Sequence, residues 1–354
     1  MKEPHQNSNT STDSPIRHGG DLSEAISQYG GSDAEWLDMS TGISPWAYPV
    51  PDIPVAFWRD LPSRESNLLD AAARYYGCSK SAVTVSPGSQ LAIRLLPGLI
   101  NKKQTVAIPI VGYQEHLHSW HQAGHKVHFY RDADELESLV VSKSVNSAVV
   151  INPNNPTGDI IPAACLEGIA NQLPGVLVVD EAFADLSSSH TLADKSGLNN
   201  VLILRSIGKF FGLAGTRIGF TIGKNQLNDQ LRALFTPWSC STPSMYAAEL
   251  ALNDTMWQFQ QRERILAQAD LVHDLFGILV ADQDGPVSKT ITCGLFYSIF
   301  ADDTWIKDLQ GQFARQKIWT RIGDEIEGQN WLRFSLPGDQ IVRFSEVARQ
   351  VLQK

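Results

Sequence analysis

From residue 82 onward the chain repeats one pattern: a short run of aliphatic and β-branched residues, a turn rich in Gly, Pro, Asn or Ser, then a stretch of helical spacing. The runs are AVTVS (82–86), TVAIP (105–109), KVHFY (126–130), SAVVIN (147–152), VLVVDEAF (176–183), VLILRS (201–206) and RIGFTIG (217–223). Helical stretches begin at Gly88 and near Tyr113, Ala133 and Pro162. Strands alternating with helices require crossover connections, which produce parallel pairing. The pattern predicts an α/β fold with a mainly parallel, seven-stranded sheet covered by helices on both faces. VLVVD and SAVVI are apolar without alternation, which places them at the centre of that sheet.

After about Pro243 the texture changes to a long charged helical pattern (245–279) and then to the strand-like TITCGLFYSIF (290–300), which predicts a smaller α+β domain. Residues 1–17 are polar, rich in Ser, Thr and Asn, and read as a mobile arm, with order beginning near His18. The expected division is an arm at 1–17, an N-terminal segment at 18–45 serving the substrate site and the small domain, a large domain at 46–242 and a small C-terminal domain at 243–354.

Composition narrows the function classes. A formal charge of −9 over 354 residues speaks against a nucleic-acid binder, which needs a basic face, and leaves a small molecule as the expected partner. No stretch approaches the ~18 consecutive apolar residues of a membrane span, and the polar start is unlike a signal peptide. The cytoplasm is the expected location. Cys78, Cys165, Cys240 and Cys293 lie far apart, so neither a metal site nor a disulfide framework is expected.

The most specific segment is SIGKFFGLAGTRIGF, 206–220, directly after VLILR. A hydroxyl, a lysine three residues on and an arginine eight after that suit an anionic aldehyde cofactor. Ser206 and Arg217 would grip its phosphate, and Lys209 would bond its aldehyde as an amine activated by partial desolvation. Taken alone, such a segment would in most cases be an ordinary basic loop, and it is the other motifs that overturn that reading.

INPNNPTG (151–158) closes a central strand and could aim the Asn155 amide at a ring oxygen, or be simply a β-turn. Asp180 ends VLVVD; a buried carboxylate there needs a partner, which a protonated pyridine nitrogen would supply, and a helix N-cap is the competing reading. SPGSQLAI (86–93) is a strand-to-helix turn whose Gly88, Ser89 and Gln90 amides could receive a phosphate. Tyr113 could stack on a ring or pack in the core. Arg333, in NWLRFSLPGD, could clamp a carboxylate or lie on the surface.

In this order and spacing these segments resemble the fold-type I pyridoxal-5′-phosphate (PLP) enzymes near the histidinol-phosphate aminotransferase branch, from about His18 to the end of the chain. Within the branch the chain is most similar to the threonine-phosphate decarboxylases of cobalamin biosynthesis, through HGGDLSEA, LDMSTGISP, DEAFAD, RSIGKFFGLAGTRIG and TPWS. The resemblance implies a PLP-dependent lyase acting on L-threonine O-3-phosphate, with a histidinol-phosphate-like aminotransferase and a non-catalytic corrinoid-assembly partner as the alternatives. Lys209 would be the Schiff-base lysine, Asp180 would meet the pyridine nitrogen, and Asn155 the ring 3′-oxygen. Ser89, Gln90, Ser206 and Arg217 would hold the cofactor phosphate. Arg333 and the backbone near Gly42 and Ile43 would meet the substrate carboxylate, and His18 its phosphate. A homodimer is implied as well. Two departures stand out: the aminotransferases carry Tyr where this chain has Phe183, and RYP where it has Asp60-Leu61-Pro62.

Overall fold

The computed structural model describes residues 18–187, 190–195, 198–281, 287–326 and 328–353. The arm expected at 1–17 lies outside them. Among the described residues thirteen strands run in chain order: β1 (Leu37–Asp38), β2 (Val83–Ser86), β3 (Thr105–Pro109), β4 (Lys126–Tyr130), β5 (Ser147–Ile151), β6 (Leu177–Asp180), β7 (Val201–Ser206), β8 (Gly219–Ile222), β9 (Val287–Thr292), β10 (Phe296–Asp302), β11 (Ile318–Trp319), β12 (Arg321–Ile322) and β13 (Gln329–Ser335). Seven of them form the large sheet in the order β2-β8-β7-β6-β5-β3-β4. Pairing is parallel from β7 across to β4, and β8 runs antiparallel to both of its neighbours.

The aliphatic runs are continuous because both faces of these strands are buried. Ala148 and Val150 of β5, Leu177 and Val179 of β6, and Val201 and Ile203 of β7 join one core cluster. The intervening Val149, Val178, Leu202 and Leu204 join the other. Each strand therefore needs apolar side chains at every position rather than at alternate ones. Edge strand β4 exposes Lys126, His128 and Phe129 and buries Tyr130. Helices begin close to where the spacing places them, at Ser89–Leu95, Gln114–Gln122, Ala133–Val141 and Ala163–Gln172. Among the described residues no helix is long and apolar enough to cross a membrane.

The second sheet is antiparallel, in the order β12-β13-β10-β9, with helices Asp303–Arg315 and Ile341–Leu352 and the 27-residue helix Thr255–Ala281 around it. Two features differ from the sequence reading. TITCGLFYSIF is a hairpin rather than one strand: β9 and β10 turn about Cys293–Leu295, where Gly294 takes a φ of 72° that side-chain-bearing residues rarely adopt. The long helical pattern is two helices, Thr242–Asn253 and Thr255–Ala281. They part at Asp254, whose carboxylate accepts from the Trp257 amide at 2.9 Å as a cap for the second helix.

β1 pairs in parallel with β11 as a separate two-stranded sheet, which ties the N-terminal segment to the chain just before β12. The smaller sheet also reaches the turn after β5: Ser298 Oγ of β10 donates to the carbonyl of Pro156 at 2.8 Å. A β-carbon at Gly158 would lie 2.3 Å from Ile291 of β9, so the turn after β5 needs glycine to let the hairpin approach.

Candidate active site

The carboxyl ends of the parallel strands deliver three of the segments singled out in the sequence to one place. Asn155 follows β5, Asp180 ends β6, and Ser206 ends β7 with Lys209 just beyond. The turn after β2 adds Gly88, Ser89 and Gln90. A cavity of about 160 Å³ is lined by Ser89, Gln90, Tyr113, Asn155, Asp180, Phe183, Ser206, Lys209 and Arg217. A second, of about 300 Å³, is lined by His18, Ile43, Tyr113, Asn155, Lys209, Arg217, Arg321 and Arg333. Tyr113, Asn155, Lys209 and Arg217 border both, so the lysine amine stands at the junction of two chambers.

Lys209 is half-buried, and its Nζ donates to the Thr41 carbonyl at 2.9 Å and lies 5.4 Å from the centre of the Phe183 ring. Burial pushes the amine down to about 7, assisted by the Arg333 and Arg217 charges and opposed by Asp180. An amine held near neutrality is a nucleophile at physiological pH, which an ordinary lysine is not.

Asp180 is buried and doubly held: its Oδ1 accepts from the Ala182 amide at 3.1 Å and its Oδ2 lies 2.9 Å from His116 Nε2. The sequence reading missed His116. Its signal was position, because it sits three residues after Tyr113 and so on the same helical face. Tyr113 itself donates its hydroxyl to Gln90 Oε1 at 2.7 Å, and its ring stands edge-on to His116 at 6.3 Å.

Around the turn after β2 the donors fit a phosphate. Gly88 has a φ of 74°, and a β-carbon there would lie 2.7 Å from Arg217 Nη2, so glycine lets the guanidinium lie against the turn. Arg217 itself takes a left-handed φ of 52°, a conformation costing about 1 kcal/mol for a side-chain-bearing residue that persists where the surroundings over-determine it. Ser86 Oγ is buried without a partner among the described residues, which an anion seated there would remedy; the Gln90 side-chain amide faces the Glu115 carboxylate. Ser206 Oγ accepts from the Gly208 amide at 3.1 Å, leaving its proton to donate. Together with an amine and a deep carboxylate, this donor set fits a phosphorylated pyridine aldehyde.

In the second chamber Arg333 is buried; it donates to Asn155 Oδ1 and to the Ser40 carbonyl, while its Nε has no partner among the described residues. Burial, and after it the neighbouring Arg321, pushes the guanidinium down to about 9, so it remains charged at neutral pH. A carboxylate is the partner such a cation lacks. The Gly42 amide donates to Ser335 Oγ at 2.6 Å and the Ile43 amide to Thr41 Oγ1 at 3.2 Å, so both already have acceptors in the protein. Gly42 is pressed against the Phe183 ring, which a β-carbon would meet at 3.1 Å. His18 Nε2 lies 2.9 Å from the buried Glu115 Oε1. Arg321, also missed in the sequence, faces Arg333 across the β12–β13 pairing.

A family model for aminotransferase class I and II matches residues 61–340. The chain belongs to that family. Among aminotransferase-family relatives, a threonine-phosphate decarboxylase from Pseudomonas aeruginosa is 41% identical over 92% of this chain and 94% of its own. Another, from a Sinorhizobium species, is 38% identical over the same shares of the two chains. Histidinol-phosphate aminotransferase from Sinorhizobium meliloti, solved in complex with pyridoxal-5′-phosphate, superposes with a TM-score of 0.79 at 18% identity, covering 97% of each chain. That likeness establishes the PLP fold-type I architecture, a mainly parallel large sheet with a smaller C-terminal sheet.

Proposed function

We propose that this chain is a PLP-dependent decarboxylase of L-threonine O-3-phosphate, yielding (R)-1-amino-2-propanol O-2-phosphate, the side-chain precursor of the cobalamin nucleotide loop. The observation that carries the reading is the junction at Lys209: a neutral-leaning amine between a phosphate-fitted chamber and a chamber that adds Arg321 and Arg333 to the shared Arg217. The near-full-length identity to two threonine-phosphate decarboxylases supports the choice of substrate.

Ser89, Gln90, Ser206 and Arg217 would hold the cofactor phosphate, Lys209 its aldehyde carbon, Asp180 its pyridine nitrogen and Asn155 its ring hydroxyl. When bound, PLP supplies an electron sink for the bond broken at the substrate Cα. Asn155 Oδ1 already accepts from Arg333, so its amide NH₂ is what it offers to another acceptor. Arg333 binds the substrate carboxylate and fixes its direction, which decides whether the bond to that carboxylate or to hydrogen breaks. Lys209 would hold the cofactor aldehyde until the substrate amine takes its place, and from the substrate chamber it would return a proton to Cα once CO₂ has left. Arg321 and His18 line the same chamber and supply the charge and donors a phosphate monoester needs.

Incubation with O-phospho-L-threonine is expected to release CO₂ and the amino alcohol phosphate in equal amounts, without build-up of the amine form of the cofactor. Build-up of that form without CO₂ would instead identify an aminotransferase.

The lowered lysine pKa carries a second expectation. The neutral amine fraction at pH 8 is roughly nine-tenths for a pKa of about 7, against well under ~1% for an unperturbed lysine. The rate at which the apoprotein takes up PLP should therefore rise between about pH 6 and 8 and level off above. A rate that climbs only beyond about pH 9 would contradict the neutral-leaning amine.

The active unit we propose is a homodimer. Val55, Trp58 and Leu61, on one short segment, are each about two-thirds or more exposed, an apolar surface that a second chain would cover. Leu61 cannot contribute the phenol that RYP would place there.

A further inference from the structure

The carboxylate of Glu115, next to Gln114 in the lining of the second chamber, is almost wholly buried, yet nothing in the chemistry above uses it. It is held by Arg94 and His18, with the Gln90 side chain as a further hydrogen-bond partner. Arg94, from the helix Ser89–Leu95, approaches with both arms of its fork, Nε to Oε2 and Nη2 to Oε1, each at 3.1 Å. His18, from the N-terminal segment, places Nε2 2.9 Å from the same Oε1. Burial pushes the carboxyl up, but Arg94 outweighs it and His18 adds to the effect, so the group stays below its ordinary value. The Arg94 charge offsets that of Glu115, and the imidazole completes the cluster.

The segment that begins at His18 is pinned again within two residues. A β-carbon on Gly19 would lie 2.3 Å from the Ser40 carbonyl oxygen, and the Gly20 amide donates to Ser40 Oγ at 2.9 Å. Ser40 presents its carbonyl to Arg333, and the next residue, Thr41, presents its own to Lys209. Residues 18–20 thus form a strap between the large sheet's helices and the Ser40–Thr41 segment, with the His18 ring on the wall of the substrate chamber, 6.2 Å from that of Tyr113.

We infer that Glu115, backed by Arg94, is a positioning residue for recognition of the substrate's phosphate: it fixes the His18 imidazole at the chamber wall and does not itself touch substrate. This rests on the proposal that the second chamber takes a phosphorylated amino acid. An imidazole with its Nε2 turned to a buried carboxylate cannot swing outward, and the ordering entropy of the strap is lost before the ligand arrives. The half-exposed ring would otherwise be free to leave the wall.

The test uses the PLP-loaded enzyme and a probe that lacks the carboxylate, O-phosphoethanolamine, with ethanolamine as the control, both measured by calorimetry. Glu115→Gln keeps the shape and removes the charge. It is expected to weaken O-phosphoethanolamine about tenfold and ethanolamine less than twofold. His18→Ala should show the same selective loss, and the double variant should be no more than about twofold weaker than His18→Ala alone, since coupled residues are not additive. Glu115→Asp, which keeps the charge but draws it back from His18, should reproduce the weakening and provides the same comparison if Glu115→Gln does not fold. Wild-type affinity in both Glu115 variants, equal loss for the two probes, or multiplicative losses in the double variant would overturn the inference. Release of CO₂ from O-phospho-L-threonine by the wild-type enzyme is scored separately, so failure of the positioning role is distinguishable from failure of the function.

Discussion

Lys209→Ala is expected to leave the fold intact and to lower turnover of O-phospho-L-threonine by roughly 10³-fold or more, the scale on which enzymes lose rate when a nucleophile acting as one unit with its site is removed. Among the described residues the amine donates to the Thr41 carbonyl, and burial already works against its charge. Its loss should therefore change stability by no more than about 1 kcal/mol, within the range of substitutions that leave no buried charge or large cavity. PLP would remain bound through the phosphate-fitted turn but would lose its covalent anchor. Borohydride reduction of the wild-type enzyme should fix the cofactor to the peptide containing residue 209 and to no other, as read by mass spectrometry. Full turnover in Lys209→Ala, or a label on another lysine, would remove the basis of the proposed chemistry.

The large sheet was legible in the sequence because its physics is local. A strand buried on both faces must be aliphatic at every position, and Val178, packed in one cluster between Leu177 and Val179 in the other, shows why. Asp180 and Lys209 were legible for the opposite reason: each is a charged residue at the end of such a strand or just past it, where burial has to be explained. The hairpin at Cys293–Leu295 was hidden because the residues on both sides favour strand, and Gly294 was the lone sign of a turn. The break at Asp254 was hidden because the helical pattern continues across it, although Asn253 and Asp254 are poor helix formers that favour caps.

The residues that sequence reasoning missed act through partners far away in the chain. His116 meets Asp180 across 64 positions, Arg94 meets Glu115 across 21, and the strap at His18 reaches Glu115 only because helix Gln114–Gln122 packs beside the site. Arg321 gains its place from the pairing of β12 with β13. Apart from the spacing of His116 from Tyr113, none of these residues sits in a distinctive local context, and each reads in the sequence as one more polar residue on a helix or short strand. Phe183 was visible as a departure from the aminotransferases, but its contacts were not. The ring packs edge-on to Phe296 at 5.2 Å and against Gly42, and it forms part of the wall beside the Lys209 amine.

Asp180→Asn isolates charge from shape, and its expected effect is on the chemical step. The Oδ1 contact with the Ala182 amide survives the change, and the new amide can still face His116, whose ring nitrogen is able to accept in its other tautomer. The site would therefore hold its geometry and its PLP, with cofactor affinity within about tenfold of wild type because the phosphate contacts and Lys209 are untouched. What is lost is the anion that would keep a pyridine nitrogen protonated. Removal of a preorganised electrostatic partner in a buried site costs about 10²–10³ in kcat, with KM little changed because Arg333 and Arg321 still meet the substrate. A second readout follows from the lysine. Asp180 favours the protonated form of Lys209 against the combined effect of burial, Arg333 and Arg217, so removing its charge lowers the amine pKa further. The pH at which apoprotein begins to take up PLP should accordingly shift to lower values in Asp180→Asn. A variant with kcat within tenfold of wild type and an unshifted uptake profile would show that this carboxylate, for all its burial, does not act on the cofactor ring or the lysine.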